Sequence, residues 1–169
     1  DVLVVGSGNG AMTAAICCND MLNDNSQVLI IEKSHCFGGT SGLSGGGVWV
    51  PNNRYAKEAG AEDSYEEALA YLNATIPEEL VEREMIEAYL REAPEMVDYL
   101  HNNTHVRYES LAKYPDYFSD LPGAKTGHRS MEPAPINYSR LGKDQNKRIE
   151  DGVLFLLYNY ARWEERTVG

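Results

Sequence analysis

The chain has 169 residues, 43% of them hydrophobic, which is enough for one domain with a substantial core. Lys and Arg number 15 against 26 Asp and Glu, a formal charge of −11 with no basic stripe, so nucleic acid and anionic membrane surfaces are poor partners. Cys17, Cys18 and Cys36 have neither metal-ligand spacing nor an even disulfide count. They read as reduced thiols of a cytoplasmic protein, with Cys17 and Cys18 packing inside a helix and no metal site expected. No apolar run approaches the length of a membrane span. The N-x-S/T matches at Asn73, Asn102 and Asn137 are read as chance, because no secretory signal accompanies them.

Asp1-Val2-Leu3-Val4-Val5 is a continuous apolar run, as expected of a buried parallel strand. It begins without an initiator methionine, so the natural protein is expected to start earlier. Gly6-Ser7-Gly8-Asn9-Gly10-Ala11 follows, then the good helix formers Met12 to Cys18. Val28-Leu29-Ile30-Ile31 reads as a second buried strand ending at Glu32. This is G-x-G-x-x-G/A between a strand and a helix. Gly6 allows the tight turn, Gly8 lets the backbone approach a pyrophosphate, and small Ala11 lets the helix pack close to the strand. The phosphates would sit at the helix N-terminus, where free N–H groups and the dipole favour negative charge. Glu32 lies 21 residues beyond Ala11, the right distance for a carboxylate that accepts from ribose hydroxyls. A glutamate there repels a 2′-phosphate, so NADP is not expected.

From Gly38 to Gly47, six of ten residues are glycine and three of the other four carry hydroxyls. Glycine loses more backbone entropy on folding than any other residue, so a run this dense implies a need for bare backbone. The reading is a ligand lying on the main chain, with Thr40, Ser41 and Ser44 as added donors. A flexible linker is the alternative, but linkers are polar on both sides, and this run sits between Val28–Ile31 and Val48-Trp49-Val50-Pro51. FAD and NAD share the first motif. A second backbone cradle soon after the acid suits the extended path of FAD.

At this point a family resemblance enters. Val4-Val5-Gly6-Ser7-Gly8, Ile31-Glu32-Lys33, Phe37-Gly38-Gly39-Thr40 and Leu43-Ser44-Gly45-Gly46-Gly47-Val48-Trp49-Val50-Pro51-Asn52-Asn53 resemble flavoproteins of the fumarate reductase type. Within that group they look most like the 3-oxosteroid 1-dehydrogenases. The resemblance implies an α/β fold: a Rossmann-like FAD-binding domain with a parallel sheet and a helical insertion. It implies FAD as cofactor, held by Gly6, Ser7, Gly8, Asn9, Gly10, Ala11, Glu32, Lys33, Gly38, Gly39, Thr40, Ser41, Ser44, Gly45, Gly46 and Gly47.

The middle of the chain reads as helical. Ser64-Tyr65-Glu66-Glu67 is a capping box ahead of Ala68, Leu69, Tyr71 and Leu72. Thr75-Ile76-Pro77-Glu78 is a second start signal, leading into a helix from Glu79 to Arg91 with Leu80, Val81, Met85, Ile86, Tyr89 and Leu90 as its apolar positions. Pro94 is expected to break that helix or to start another through Leu100. The many glutamates read as a solvated surface. Val106-Arg107-Tyr108 reads as a short strand. Four prolines between positions 115 and 135 argue against regular structure beyond it.

Composition alone leaves the aromatic residues of Tyr114-Pro115-Asp116-Tyr117-Phe118 either lining a pocket or anchoring a loop, with anchoring favoured. The resemblance implies that one tyrosine of such a segment faces the substrate and assists the catalytic base. Tyr117 is the first candidate and Tyr114 the second. Arg129, beside His128, invites comparison with the dicarboxylate-binding cations of fumarate-reducing relatives. A hydrogen-bonded structural arginine is the preferred reading. Val153, Leu156, Leu157 and Tyr160 make a helical stripe within 151–166 that reads as a packing surface, with membrane association at most peripheral.

Residues 1–53 are thus read as the dinucleotide-binding βαβ unit and flavin loop, and 54–169 as helical and irregular segments bordering a substrate site. Family members are longer, so the substrate-covering domain and the proton-abstracting tyrosine are expected outside these 169 residues. The implied reaction is dehydrogenation of a 3-oxosteroid at the 1,2 bond, with an external electron acceptor. The alternatives are another flavoprotein of this type, acting on the 4,5 bond, on an enone or on a dicarboxylate, and a non-catalytic nucleotide-binding module.

Overall fold

The computed structural model describes residues 1–22, 26–80 and 82–135, which fall into two compact units, Asp1–Gly46 and Gly47–Ala134. The helical stripe read at 151–166 and the site at Asn137 lie outside the described residues.

In the first unit, β1 (Val2–Val5) runs into helix α1 (Asn9–Met21) and returns as β2 (Val28–Ile31). The strands pair in parallel, Val2 opposite Val28 and Val5 opposite Ile31. This is the βαβ arrangement that the apolar runs imply, and with the helices that follow it makes the chain an α/β protein with a parallel sheet. The expectation of strands buried on both faces is not met. Helix α1 lies against both strands, and Val2, Val4, Val28 and Ile30 alternate as half-buried residues. On the other face Leu3, Val5, Leu29 and Ile31 are exposed. Parallel sheets are normally covered on both faces. Among the described residues only α1 covers this pair.

The second glycine run does not lie flat. It winds into a short helix, α2 (Gly39–Leu43), entered through Gly38 at φ +119° and Gly39 at φ +54°. A Cβ on Gly38 would lie 3.2 Å from the Gly42 Cα, so both the dihedral and the close approach require glycine.

In the second unit β3 (Val48–Trp49), α3 (Arg54–Glu58), α4 (Tyr65–Thr75), a 3₁₀ turn (Glu78–Leu80) and α5 (Arg83–Asn103) precede β4 (Tyr108–Ser110) and β5 (Ser130–Pro133). The sheet is antiparallel in the order β3-β5-β4. Its central strand falls where the prolines argued against regular structure. Pro133 sits at the strand's end, and Met131, fully buried, packs with Val50, Ala93 and Val97. Burial of that face outweighs the local composition.

Ser64 caps α4 as expected: its Oγ accepts from the Glu67 N–H at 3.2 Å. Helix α5 starts later than the sequence reading places it, at Arg83, and Leu80 and Met85 are exposed. Pro94 does not break it. Ile86, Leu90, Ala93, Val97 and Leu100 form one buried stripe across the proline, and the packing of that stripe holds the helix together.

Arg129 ties this unit together, at 2% exposure. Its Nε and Nη2 donate to the two oxygens of Asp63 at 3.0 and 2.7 Å, and Nη1 donates to Asp116 at 2.8 Å. The guanidinium carbon lies 5.7 Å from the ring centres of both Trp49 and Tyr71. Asp63 also accepts from the Asn52 and Ser64 N–H groups, and Asp116 from the Trp49 indole at 2.7 Å and the Lys125 N–H. Every charge is paired and hydrogen-bonded, as burial demands. Burial pushes the Asp63 carboxyl up. The bond from Arg129, the Asn52 N–H, the Arg129 charge and the Ser64 N–H overcome this and hold it below the ordinary aspartate value.

Asp63→Asn should destabilise the protein by about 3 kcal/mol at pH 7 in urea unfolding, because it leaves part of the buried guanidinium charge uncompensated. The folded Asp63 value lies below the unfolded one of about 3.9. The stability it contributes is therefore complete above the unfolded value and is lost as pH falls through the folded one. The thermal midpoint of the native protein should drop from about pH 4 downward, and that drop should be shallower in Asp63→Asn. Pro94→Ala restores an N–H in the middle of α5 and should raise stability by about 2 kcal/mol in the same urea measurement.

Candidate functional site

Two sets of candidate residues fall in the two units. In the first, Gly6 turns the chain out of β1 at φ +100°, and its N–H donates to the Ile31 carbonyl at 2.7 Å. Gly8 is the N-cap of α1 and supplies no side-chain cap. The N–H groups of the first turn, from Asn9, Gly10 and Ala11, have no partner within the helix and point out of its end. A Cβ on Gly8 would stand 3.3 Å from Ser41 Oγ and 3.8 Å from the Gly38 carbonyl. The first turn and the second glycine stretch thus approach each other at a position where a side chain would intrude. A Cβ on Gly10, Gly39 or Gly45 would meet nothing within 4 Å, so those residues face open space.

Hydroxyls join these segments. Ser7, 4% exposed, donates from Oγ to Glu32 Oε2 at 2.6 Å and accepts from the Gly38 N–H at 3.0 Å. Glu32 Oε1 accepts from the Ser34 N–H at 2.9 Å. Ser41 Oγ accepts from the Asn9 N–H at 3.1 Å, filling one of the donor positions that Gly8 leaves open. Ser44 turns inward on its own segment, donating to the Ser41 carbonyl and accepting from the Gly46 N–H. Gly6, Ser7, Gly8, Asn9, Glu32, Gly38 and Ser41 are therefore one cluster. Lys33 is an exposed neighbour of Glu32, and Thr40 is exposed on α2. The sequence reading grouped these residues by motif. It did not foresee the Ser7–Glu32 bond, for which no local pattern exists.

The cluster fits a dinucleotide. It has a glycine turn that only glycine adopts comfortably, a tight approach at Gly8, outward N–H groups at a helix start for phosphate oxygens, and a carboxylate beyond β2 for ribose hydroxyls. Glu32 is held as an anion. The Ser7 hydroxyl and then the Ser34 N–H lower its carboxyl from the ordinary glutamate value.

The second set lines a cavity of about 380 Å³ within Gly47–Ala134, in the range of small-molecule sites. Its walls include Trp49, Tyr71, Leu72, Tyr114, Tyr117 and Phe118, and Gly47 lies on its rim. The favoured reading, aromatic residues anchoring the loop, is not met: Tyr114, Tyr117 and Phe118 are exposed and line the cavity, and an acid does the anchoring. Asp116 is the anchor, bonded to Arg129, Trp49 and Lys125, and the Tyr71 hydroxyl accepts from the Phe118 N–H at 3.2 Å. Tyr114 and Tyr117 stay exposed, at 46% and 87%. Tyr117, through its hydroxyl and then its charge, raises the Tyr114 phenol above its ordinary value. Arg129 is the structural arginine that the sequence reading preferred, buried and ion-paired with two aspartates. Asp63 and Asp116 were not singled out in the sequence. The sequence reading took Arg129 as a hydrogen-bonded structural residue, but no local pattern names its partners. Among the described residues no group of His, Cys, Asp and Glu could hold a metal, and no helix is long and apolar enough to cross a membrane.

Comparison with known proteins shows the family of the chain. The chain is 40% identical over 144 residues to 3-oxosteroid 1-dehydrogenase of Mycobacterium tuberculosis, an alignment spanning 85% of this chain and 25% of that protein. It is 36% identical over 165 residues to 4-oxocyclohexanecarboxylate 2-dehydrogenase of Sinomonas cyclohexanicum, covering 96% of this chain and 28% of the relative. The crystal structure of 3-ketosteroid delta1-dehydrogenase from Sterolibacterium denitrificans, in complex with 1,4-androstadiene-3,17-dione, superposes with a TM-score of 0.79 at 44% identity, over 89% of this chain and 26% of that one. The chain thus spans about a quarter of the length of these relatives. The profile of the FAD binding domain matches residues 1–164, and the chain belongs to that family of flavin-binding domains.

Proposed function

We propose that this chain is the FAD-holding part of a dehydrogenase that desaturates a cyclic ketone, and that its substrate is a 3-oxosteroid oxidised at the 1,2 bond. The observation that carries this reading is the aromatic cavity carrying the Tyr114–Tyr117 pair, in a chain 40% identical to a 3-oxosteroid 1-dehydrogenase over 144 residues. Flat apolar rings suit walls of Trp49, Tyr71 and Phe118.

The reaction breaks two C–H bonds and forms one C=C bond. A proton leaves carbon 2, beside the ketone, to a tyrosine base outside these 169 residues. The hydrogen on carbon 1 would leave as hydride, for which FAD, when bound, would supply the acceptor, and an external electron acceptor would take the two electrons onward. Glu32 would hold the adenosine ribose, and the first turn of α1 the pyrophosphate. A phenol base faces a difficulty, because its ordinary pKa is about 10 and only ~0.1% is phenolate at pH 7. Tyr117 is assigned to relieve this, with its hydroxyl hydrogen-bonded to the base, and Tyr114 is the second candidate for that role.

A smaller cyclic ketone is the second reading. The 4-oxocyclohexanecarboxylate 2-dehydrogenase aligns over 96% of this chain, more than the 85% aligned to the steroid enzyme. The same proton and hydride chemistry would serve it.

Anaerobic mixing of androst-4-ene-3,17-dione with the FAD-loaded longer protein that also carries the tyrosine base should bleach the flavin, and 4-oxocyclohexanecarboxylate should bleach it more slowly. The reverse order would move the assignment to the smaller ketone, and bleaching by neither would reject both. Tyr117→Phe should slow bleaching by roughly 10- to 100-fold with flavin content unchanged. An unchanged rate would remove Tyr117 from the mechanism.

A further inference from the structure

The family motif explains the glycines at positions 6 and 8 and the acid at position 32, but leaves Ser7 as a variable residue between two glycines. In the structure Ser7 is one of the few buried polar side chains, at 4% exposure. One hydroxyl serves two segments that lie 25 and 31 residues further along. It donates to Glu32 Oε2 at 2.6 Å and accepts from the Gly38 N–H at 3.0 Å. The second Glu32 oxygen is held from the other side by the Ser34 N–H at 2.9 Å. A carboxylate offers about four lone-pair sites, two on each oxygen. Ser7 Oγ and the Ser34 N–H take one site on each oxygen, and the Lys33 and Ser7 N–H groups act more weakly on the same carboxylate. Acceptor capacity is left for a ribose hydroxyl.

We infer that Ser7 is a positioning residue for the cofactor: its hydroxyl orients Glu32 toward the adenosine ribose of FAD and fixes the phosphate turn against the second glycine stretch at Gly38. This rests on the assignment of Glu32 to the ribose. A glutamate side chain free to rotate loses conformational entropy when a ligand orders it. One held before binding does not. The short charge-assisted bond from Ser7 is what holds it, and the same bond contributes most to keeping the carboxyl ionised. The alternating constraint on Gly38 matters too. That residue sits at φ +119° with the Gly42 backbone beside it, and its N–H donates to Ser7 Oγ.

The test is equilibrium binding of two probes to the apoprotein, FAD and its 2′,3′-dideoxyadenosine analogue, read by flavin fluorescence. Ser7→Ala is expected to weaken FAD about tenfold and the analogue less than twofold. Glu32→Gln should show the same pattern, and Ser7→Ala/Glu32→Gln should bind FAD no more weakly than Glu32→Gln alone, because the two residues act as one unit. Ser7→Cys, close in shape and a weaker donor, should fall between serine and alanine, and it keeps the test available if alanine impairs folding. If Glu32→Gln leaves FAD binding unchanged, the ribose assignment fails and the inference falls with it. If Glu32→Gln weakens FAD but Ser7→Ala does not, or weakens both probes equally, the ribose assignment stands and the positioning role of Ser7 is overturned.

Discussion

The described part of Gly47–Ala134 depends on one buried cation. Arg129 has no water to solvate it, so the chain must bring it anions, and it brings two. Asp63 comes from the loop before α4 and Asp116 from the loop that carries the tyrosines. Each carboxylate then recruits backbone N–H groups from a further segment: Asn52 and Ser64 in one case, Lys125 in the other. Trp49 and Tyr71 complete the enclosure with their ring faces and, for Trp49, with an indole N–H to Asp116. The end of β3, the loop before α4, α4 itself and the loops at Asp116 and Lys125 are thus held in register by one guanidinium. Breaking any pair leaves a charge in a dry environment, and that penalty makes the arrangement specific.

The cavity inherits its shape from this network. Asp116 lies between Tyr114 and Tyr117 in sequence and is turned inward, and the two tyrosines are turned outward as a consequence. An inward acid between outward aromatics lets an irregular segment present phenols at a defined place without burying its own backbone unsatisfied. Rigid support behind mobile chemistry is the usual division of labour in binding loops. The nearby glycines serve the same end. A Cβ on Gly123 would lie 2.0 Å from the Glu67 carbonyl, and one on Gly127 would lie 2.1 Å from the Ala112 carbonyl, so the loop packs onto α4 and onto its own start at distances only glycine permits.

In Asp1–Gly46 the organising contacts are lighter. No ion pair crosses the described cluster, and single hydroxyls do the joining: Ser7 to Glu32 and Gly38, Ser41 to the start of α1. A site meant to receive phosphates gains from neutral donors and open backbone N–H groups, because a fixed side-chain charge would compete with or distort the ligand's own. The outer face of β1 and β2, with Leu3, Val5, Leu29 and Ile31 exposed, is consistent with a chain that spans about a quarter of its relatives' length.

What the sequence by itself determined is what depends on neighbours close along the chain. The strand, glycine turn, helix and acid of residues 1–32 are spaced by local geometry, and the capping box at Ser64 is a bond across three residues, so both could be read directly. Tertiary structure decided the rest. Pro94 reads as a helix breaker because its local cost is visible, while the buried stripe of α5 that overrides it is paid in contacts with other elements. Ser130–Pro133 reads as irregular, yet it is the middle strand, because Met131 is buried by residues from three other segments. Asp63, Asp116 and Arg129 are ordinary surface residue types in a sequence. Only the fold places them in a dry interior, where the energy of an unpaired charge makes their pairing obligatory.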